Sequence, residues 1–208
     1  RSSDLPSPIY DAVKAVKQAR ATSRRSATRK LADTPMLFGE IRQPDSSYLL
    51  IPRHSSENRR YIPIGIVDQS IIAGDSNLIM PNATLFHFGI LQSNVHMAWM
   101  RAFAGRLEMR YRYSANIIYN NFPWPNVTDE QVKRISSAAN QVLLARNNHK
   151  EATLADLYDD NIMPKDLLIA HRNLNKLVMN AYGFSNNIQE EDCVAELIKF
   201  YSEIISDQ

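Results

Sequence analysis

Backbone breakers are spread unevenly along this chain, and their spacing limits the folds open to it more than any single motif does. Residues Ile9 to Leu31 hold neither glycine nor proline, and Ser7-Pro8 ahead of them suits a first helical turn. This pattern predicts one long N-terminal helix. From Thr34 to Ile72, prolines at 35, 44, 52 and 63 cut the chain into short apolar runs, including Tyr48 to Ile51 and Tyr61 to Val67, which read as strands. Leu85 to Phe103 is apolar at helical spacing, with Ser93 as the cap that divides it into two core helices. Beyond Pro125 nearly everything is helix-like: Thr128 opens a run to Asn147, Pro164 opens another that ends at Gly183, and Glu190 to Ser206 supplies the last. The expected fold is α+β, a small mixed β/α domain preceded by a long helix and followed by a C-terminal helical bundle. Its expected divisions are residues 1–34, 35–125 and 126–208.

A chain of 208 residues with 44% hydrophobic and 22% charged side chains is long and apolar enough to bury a core. The single cysteine, Cys193, forms no internal disulfide and suits a small buried position in a reducing, cytoplasmic compartment. The longest uncharged stretch, Ser76 to Met100, contains Pro81, three asparagines, Gln92 and two histidines, so a membrane span is not expected. The chain starts without Met and without a signal-peptide core, and is expected to be a portion of something larger.

A net charge of +2 conceals a gradient. Residues 1–60 carry +6, residues 61–125 carry +1, and residues 126–208 carry −5. A basic half attracts a polyanion, while an acidic half keeps the remainder away from it. On the predicted first helix, Lys17, Arg20 and Arg24 fall on one face as a rail for phosphates, or else form an ordinary solvated face. Between the first two strands, Arg53-His54-Ser55-Ser56-Glu57-Asn58-Arg59-Arg60 offers three guanidinium groups and two hydroxyls, the donors that phosphate contacts use; a plain hairpin tip is the alternative.

From Gly105 to Tyr113 charged residues alternate strictly with apolar or aromatic ones. One half-buried strand would put Leu107, Met109, Tyr111 and Tyr113 inward and leave Arg106, Glu108, Arg110 and Arg112 in one outward row. Three arginines in a row repel one another, a tension that an overlying anion relieves. In a major groove, a carboxylate accepts from cytosine's amine while a guanidinium donates twice to guanine, so Glu108 and Arg110 together suit one C·G pair. An exposed salt-bridge ladder is the alternative.

Catalytic signatures do not emerge from the same residues. There is no Gly-x-Gly pair, phosphate-cradling loop, Gly-x-Ser-x-Gly elbow or His-Glu-x-x-His, no cysteine pair for zinc, no Glu-x-Lys triplet and no Asn-Pro-Pro or Asp-Pro-Pro. No catalytic residue, metal or cofactor is therefore expected in these 208 residues.

Several blocks come in a familiar order: Ser55-Ser56-Glu57-Asn58-Arg59-Arg60-Tyr61-Ile62-Pro63, Phe86-His87-Phe88-Gly89, Trp99-Met100-Arg101, Gly105-Arg106-Leu107, Tyr111-Arg112-Tyr113-Ser114, Asn120-Asn121-Phe122-Pro123-Trp124-Pro125, Ala170-His171 and Ala181-Tyr182-Gly183. Together they resemble the MmeI-like restriction-modification DNA methyltransferases over nearly the whole chain. The resemblance implies the target-recognition and C-terminal region of a bacterial enzyme that methylates adenine at its exocyclic amine with S-adenosylmethionine. The catalytic domain would lie upstream and be a partner, and a restriction-modification parent admits an endonuclease activity as well. The resemblance assigns base contacts to Glu108 and Arg110 and places a further determinant at the Asp75-Ser76 turn. Contacts to the DNA backbone are then expected from Arg20, Arg24, Arg53, Ser55, Ser56, Arg59, Arg60, Arg106, Arg112 and Ser114. One departure is Asn175, where the family pattern would have an acidic residue. A competing reading makes the helical half a protein-docking module that reads no bases.

Overall fold

A computed structural model of the chain describes residues 6–206 and divides it into two compact units, residues 1–43 and residues 44–208. The first unit holds α1 (Ser7–Ala21), α2 (Ser26–Lys30) and a 3-10 turn at Leu31–Asp33. The predicted continuous helix is therefore interrupted. Thr22 and Ser23 supply the reason, because short hydroxyl side chains compete for backbone groups. The Thr22 hydroxyl donates to the Gln18 carbonyl at 2.9 Å, and the Ser23 hydroxyl accepts from the Arg25 amide at 3.2 Å. Arginines then hold the bend. Arg20 donates to the carbonyls of Leu31, Thr34 and Leu37 at 3.1, 2.7 and 2.8 Å, and Arg29 to those of Ser23 and Arg24 at 2.9 and 3.0 Å. Arg24 lies past the end of α1, so the single-face rail of Lys17, Arg20 and Arg24 does not form.

The second unit contains two three-stranded antiparallel sheets and a set of helices. Strand β1 (Tyr48–Pro52) lies at the centre of the first sheet, between β3 (Gly65–Val67) and β4 (Asn77–Pro81). After the single residue Arg53 the chain changes sheets and becomes β2 (His54–Ser55), which pairs with β6 (Arg110–Arg112); β6 also pairs with β5 (Gly105–Leu107). The strand predicted from Tyr61 is regular only from Gly65. Pro63 has no amide proton for a ladder and occupies the centre of a tight turn in which the Ile64 amide donates to the Ile62 carbonyl at 2.8 Å. Tyr61, Ile62 and Ile64 are nevertheless buried.

Helices α3 (Leu85–Leu91) and α4 (Asn94–Phe103) form the core that their apolar spacing predicts, and the Ser93 hydroxyl accepts from the His96 amide at 3.3 Å. Helices α5 (Asp129–Asn147), α6 (Leu154–Leu157), α7 (Lys165–Ala181) and α8 (Glu190–Ser206) complete the unit. At Gly89 the backbones of α3 and α5 approach closely: a Cβ there would lie 2.9 Å from Ile135 Cγ2 and 3.2 Å from Ala139 Cβ. The Thr128 hydroxyl accepts from the Gln131 amide at the start of α5, and Gly183, with φ +72°, ends α7 in the left-handed conformation glycine allows.

A buried cation joins these helices to the segment before β3. Arg146 on α5 donates to the Tyr158 hydroxyl at 2.8 Å, the Ile64 carbonyl at 2.7 Å and Gln92 Oε1 at 3.1 Å. Gln92 in turn donates to the Ile62 carbonyl, and His171 stacks on Tyr61 with ring centres 4.0 Å apart. Asn175 on α7 donates to the Tyr61 hydroxyl at 2.8 Å and accepts from the Asn94 amide at 3.0 Å.

Candidate nucleic-acid interface

The alternating segment after Gly105 folds back on itself. β5 and β6 are the arms of a hairpin whose loop is only Glu108-Met109, with Leu107 opposite Arg110, Arg106 opposite Tyr111 and Gly105 opposite Arg112. Glu108 carries φ +55°, the positive value that the first residue of the favoured two-residue hairpin turns takes. The single outward row is thus corrected, because residues facing each other across a hairpin share a side of the sheet. Arg106 turns to the side of buried Tyr111, while Leu107, Arg110 and Arg112 occupy the other side. Ser55, opposite Tyr111, goes inward, and His54, opposite Arg112, joins the outer side. Leu107 and Met109, expected in the core, are 47% and 66% exposed.

Each arginine of the hairpin has a distinct setting. The Arg106 guanidinium lies 3.7 Å above the Tyr111 ring, and its Nη1 donates to the Met109 carbonyl at 2.9 Å, bracing the loop. Arg110 Nη2 meets Glu108 Oε2 at 2.8 Å on exposed surface, so the carboxylate and guanidinium expected to act as a pair are neighbours at the tip. Arg112 is exposed beside His54.

Arg53 ties the two sheets together. Its amide donates to the Ser76 carbonyl at 2.9 Å, its Nε to the Asp75 carbonyl at 2.9 Å, and its own carbonyl accepts from the Tyr113 amide at 2.8 Å. Through Arg53 the Asp75-Ser76 turn is hydrogen-bonded to the start of β2 and so to β6 of the hairpin, a border of connected backbone. Ser114 precedes a short π-turn over Ala115–Tyr119, its carbonyl accepting from the Ile118 amide at 2.8 Å.

The Ser55–Arg60 loop divides. Ser55 departs from the expected phosphate contact: it is 4% exposed, with a buried hydroxyl, because its register with Tyr111 turns it inward. Ser56 organises the turn, its hydroxyl accepting from the Asn58 amide and its carbonyl from the Arg59 amide. Arg60 is exposed but ion-paired with Asp160 at 3.2 Å, and its carbonyl accepts from Arg101, which forms a two-bond pair with Glu190 at 2.6 Å. Arg20 and Arg24 belong to the first unit, where Arg20 is occupied by three backbone carbonyls.

Beneath the hairpin, His96 Nε2 lies 3.0 Å from the Tyr113 hydroxyl. Burial pulls the His96 pKa down to about 3 and pushes that of Tyr113 up, so both are neutral at ordinary pH. His171 is likewise held down at about 3 by burial, with the Arg146 charge adding to the effect. Burial raises the Cys193 thiol to about 12, which leaves it a packing residue. Among the described residues no group of three or more His, Cys, Asp or Glu side chains is arranged to hold a metal ion, and no helix is long and apolar enough to cross a membrane. A shallow cleft of about 290 Å³ is lined by Tyr182, Phe184, Phe200 and Lys199 among others.

The sequence pattern does not give the position of His54 opposite Arg112, the exposure of Met109 or the bracing contact of Arg106. The first two needed the register, and the third needed the hairpin.

The model of the MmeI target recognition domain matches residues 4–126, and that of the MmeI C-terminal domain matches residues 127–207. DNA methyltransferase A of Bacillus subtilis (strain 168) is 35% identical over 196 residues, covering 94% of this chain and 22% of that protein. The Type IIL restriction-modification enzyme MmeI, solved in complex with DNA, superposes with a TM-score of 0.89 at 44% identity, over 95% of this chain and 26% of that one. The chain spans about a quarter of the length of these relatives. With family models accounting for residues 4–207, the chain belongs to the MmeI family, comprising its target recognition and C-terminal domains.

Proposed function

We propose that this chain is the sequence-reading portion of a longer restriction-modification DNA methyltransferase, and that it grips double-stranded DNA along the border running from Asp75-Ser76 to the β5–β6 hairpin. The observation that carries this reading is the exposed Glu108–Arg110 pair at the tip of a braced hairpin, flanked by Arg112, His54 and Arg53. A carboxylate acceptor and a forked donor so placed match the two halves of a C·G pair in the major groove. Arg53, Ser56, Arg59, Arg60, Arg112 and Ser114 are the candidates for phosphate contacts. Of the remaining members of the expected set, Arg106, exposed on the Tyr111 side, braces the tip, and Ser55 is buried opposite Tyr111.

The relatives are methyltransferases, and S-adenosylmethionine would supply the methyl group in the catalytic portion of the longer protein. The residues of this chain contribute orientation: they fix which base pair faces the catalytic site. The proposed division assigns recognition to residues 35–125, structural support to 126–208, and connection to the catalytic domain to 1–34. A cytoplasmic setting follows from the DNA substrate.

Affinity measured against salt, for a duplex enriched from a random pool and for an arbitrary duplex, tests this reading. Recognition predicts steep salt dependence for both and a wide preference for the enriched duplex. Salt-insensitive retention without an enriched sequence would replace it with protein docking.

A further inference from the structure

The hairpin tip carries an unusual side chain for its setting. Met109 is 66% exposed, lies in a two-residue loop and is set between the charged residues Glu108 and Arg110. Neither member of that loop is glycine, asparagine or aspartate, the residues such turns favour, and Glu108 accepts a positive φ of 55° to make it. The loop is also held from behind: the Arg106 guanidinium rests 3.7 Å above the Tyr111 ring while donating to the Met109 carbonyl at 2.9 Å. This exposed cation keeps one backbone carbonyl in place.

An exposed thioether among charges gains nothing from water, and it gains nothing from the guanidinium beside it. A DNA major groove offers it one apolar feature, the C5 edge of a pyrimidine, which carries a methyl group in thymine and a hydrogen in cytosine. Methionine is unbranched and polarisable, so it can follow the groove wall without a single rigid fit. Beyond the Glu108–Arg110 ion pair, Arg112 on the outer side of the same hairpin and Arg53, bonded to the Asp75 carbonyl, leave cations in excess here, which favours a polyanion over an apolar protein as the occupant of this surface.

We propose that Met109 is a specificity-determining residue that contacts the C5 edge of the pyrimidine within one base pair of that engaged by Glu108 and Arg110, and that Arg106 is the positioning residue that holds it there. This inference rests on the recognition reading above and adds to it the chemical class of a second contact, one sensitive to methylation of the base.

Every base pair contains one pyrimidine, so the whole site can be scanned. Using the full-length enzyme and its enriched duplex, each thymine is replaced in turn by deoxyuridine and each cytosine by 5-methyldeoxycytidine, and affinity is measured at fixed salt. Wild type is expected to change about fourfold at one position beside the Glu108–Arg110 pair, the worth of one buried methyl. Met109→Ala should abolish that response and keep the response at every other position. Arg106→Ala should weaken the same response, and Arg106→Lys, which retains a donor, should restore part of it; a purely structural residue would lower affinity at all positions alike. Identical methyl responses in wild type and Met109→Ala would overturn this inference alone. Failure to enrich any duplex would overturn the recognition reading and this inference with it.

Discussion

Replacing Arg146 by methionine should cost this protein a large part of its stability. Arg146 is 8% exposed, and its hydrogen-bond partners are a hydroxyl, a backbone carbonyl and a side-chain amide, all neutral. Methionine fills most of the aliphatic volume but donates nothing. The Tyr158 hydroxyl keeps His171 Nε2 at 2.8 Å, whereas the Ile64 carbonyl and Gln92 Oε1 lose their donor. Each orphaned buried acceptor costs about 1–3 kcal/mol, and relief from burying a cation offsets part of the sum, leaving a net loss of about 2–4 kcal/mol. Urea unfolding followed through Trp99 and Trp124, both in or against the core, reads this as a fall in midpoint at constant slope. Unchanged or increased stability would refute the argument, since it would mean that desolvation of the guanidinium outweighs the carbonyls it satisfies.

Acid should destabilise the fold over a defined window. His96 and His171 titrate at about 3 when folded against about 6.5 when unfolded, so below pH 6.5 the unfolded chain takes up protons that the folded chain refuses. Stability is thus full above pH 6.5 and falls toward pH 3, by about 2 kcal/mol per histidine at pH 5; urea midpoints that stay flat from pH 8 to 5 would contradict it. Asp160→Asn should release Arg60 from its ion pair, raise affinity for all duplexes alike and steepen the salt slope by up to about one unit, with little change in stability because the pair is exposed. An unaltered slope would remove Arg60 from the phosphate contacts.

The helices were legible in the sequence because their ends are written in local chemistry. Ser93, Thr128, Pro164 and Gly183 stop or start the backbone by rules that involve neighbours only, and the helices observed follow them. The β-hairpin was not legible, for the same reason in reverse: Glu108-Met109 contains no turn-forming residue, and alternation is equally consistent with one long strand or two short ones. That ambiguity decided the fate of the site. A two-residue loop resets which side each residue faces, which is why Glu108 and Arg110 come together as the spacing implied while Arg106 goes to the side of Tyr111. Ser55 was misplaced because its side was set by pairing with a strand 56 positions away. The Arg60–Asp160 pair and the contacts of Arg146 with Ile64 and Gln92 span 100, 82 and 54 positions, distances over which composition carries no information. The break after α1 was missed because Thr22 and Ser23 are tolerated inside many helices, and here their competition for the backbone combines with the Arg20 and Arg29 clamps.

The central claim is that the hairpin tip reads a base pair through the Glu108–Arg110 pair, and a charge exchange tests it most directly. Full-length enzyme carrying Glu108→Lys and Arg110→Asp would be compared with wild type in selections from a random duplex pool at moderate salt. The account predicts that both enrich sites of the same length and that they differ in preference at one base pair, with similar salt dependence, each such contact being worth about 1–3 kcal/mol of discrimination. Loss of all binding, or enrichment of the identical site by both proteins, would contradict it.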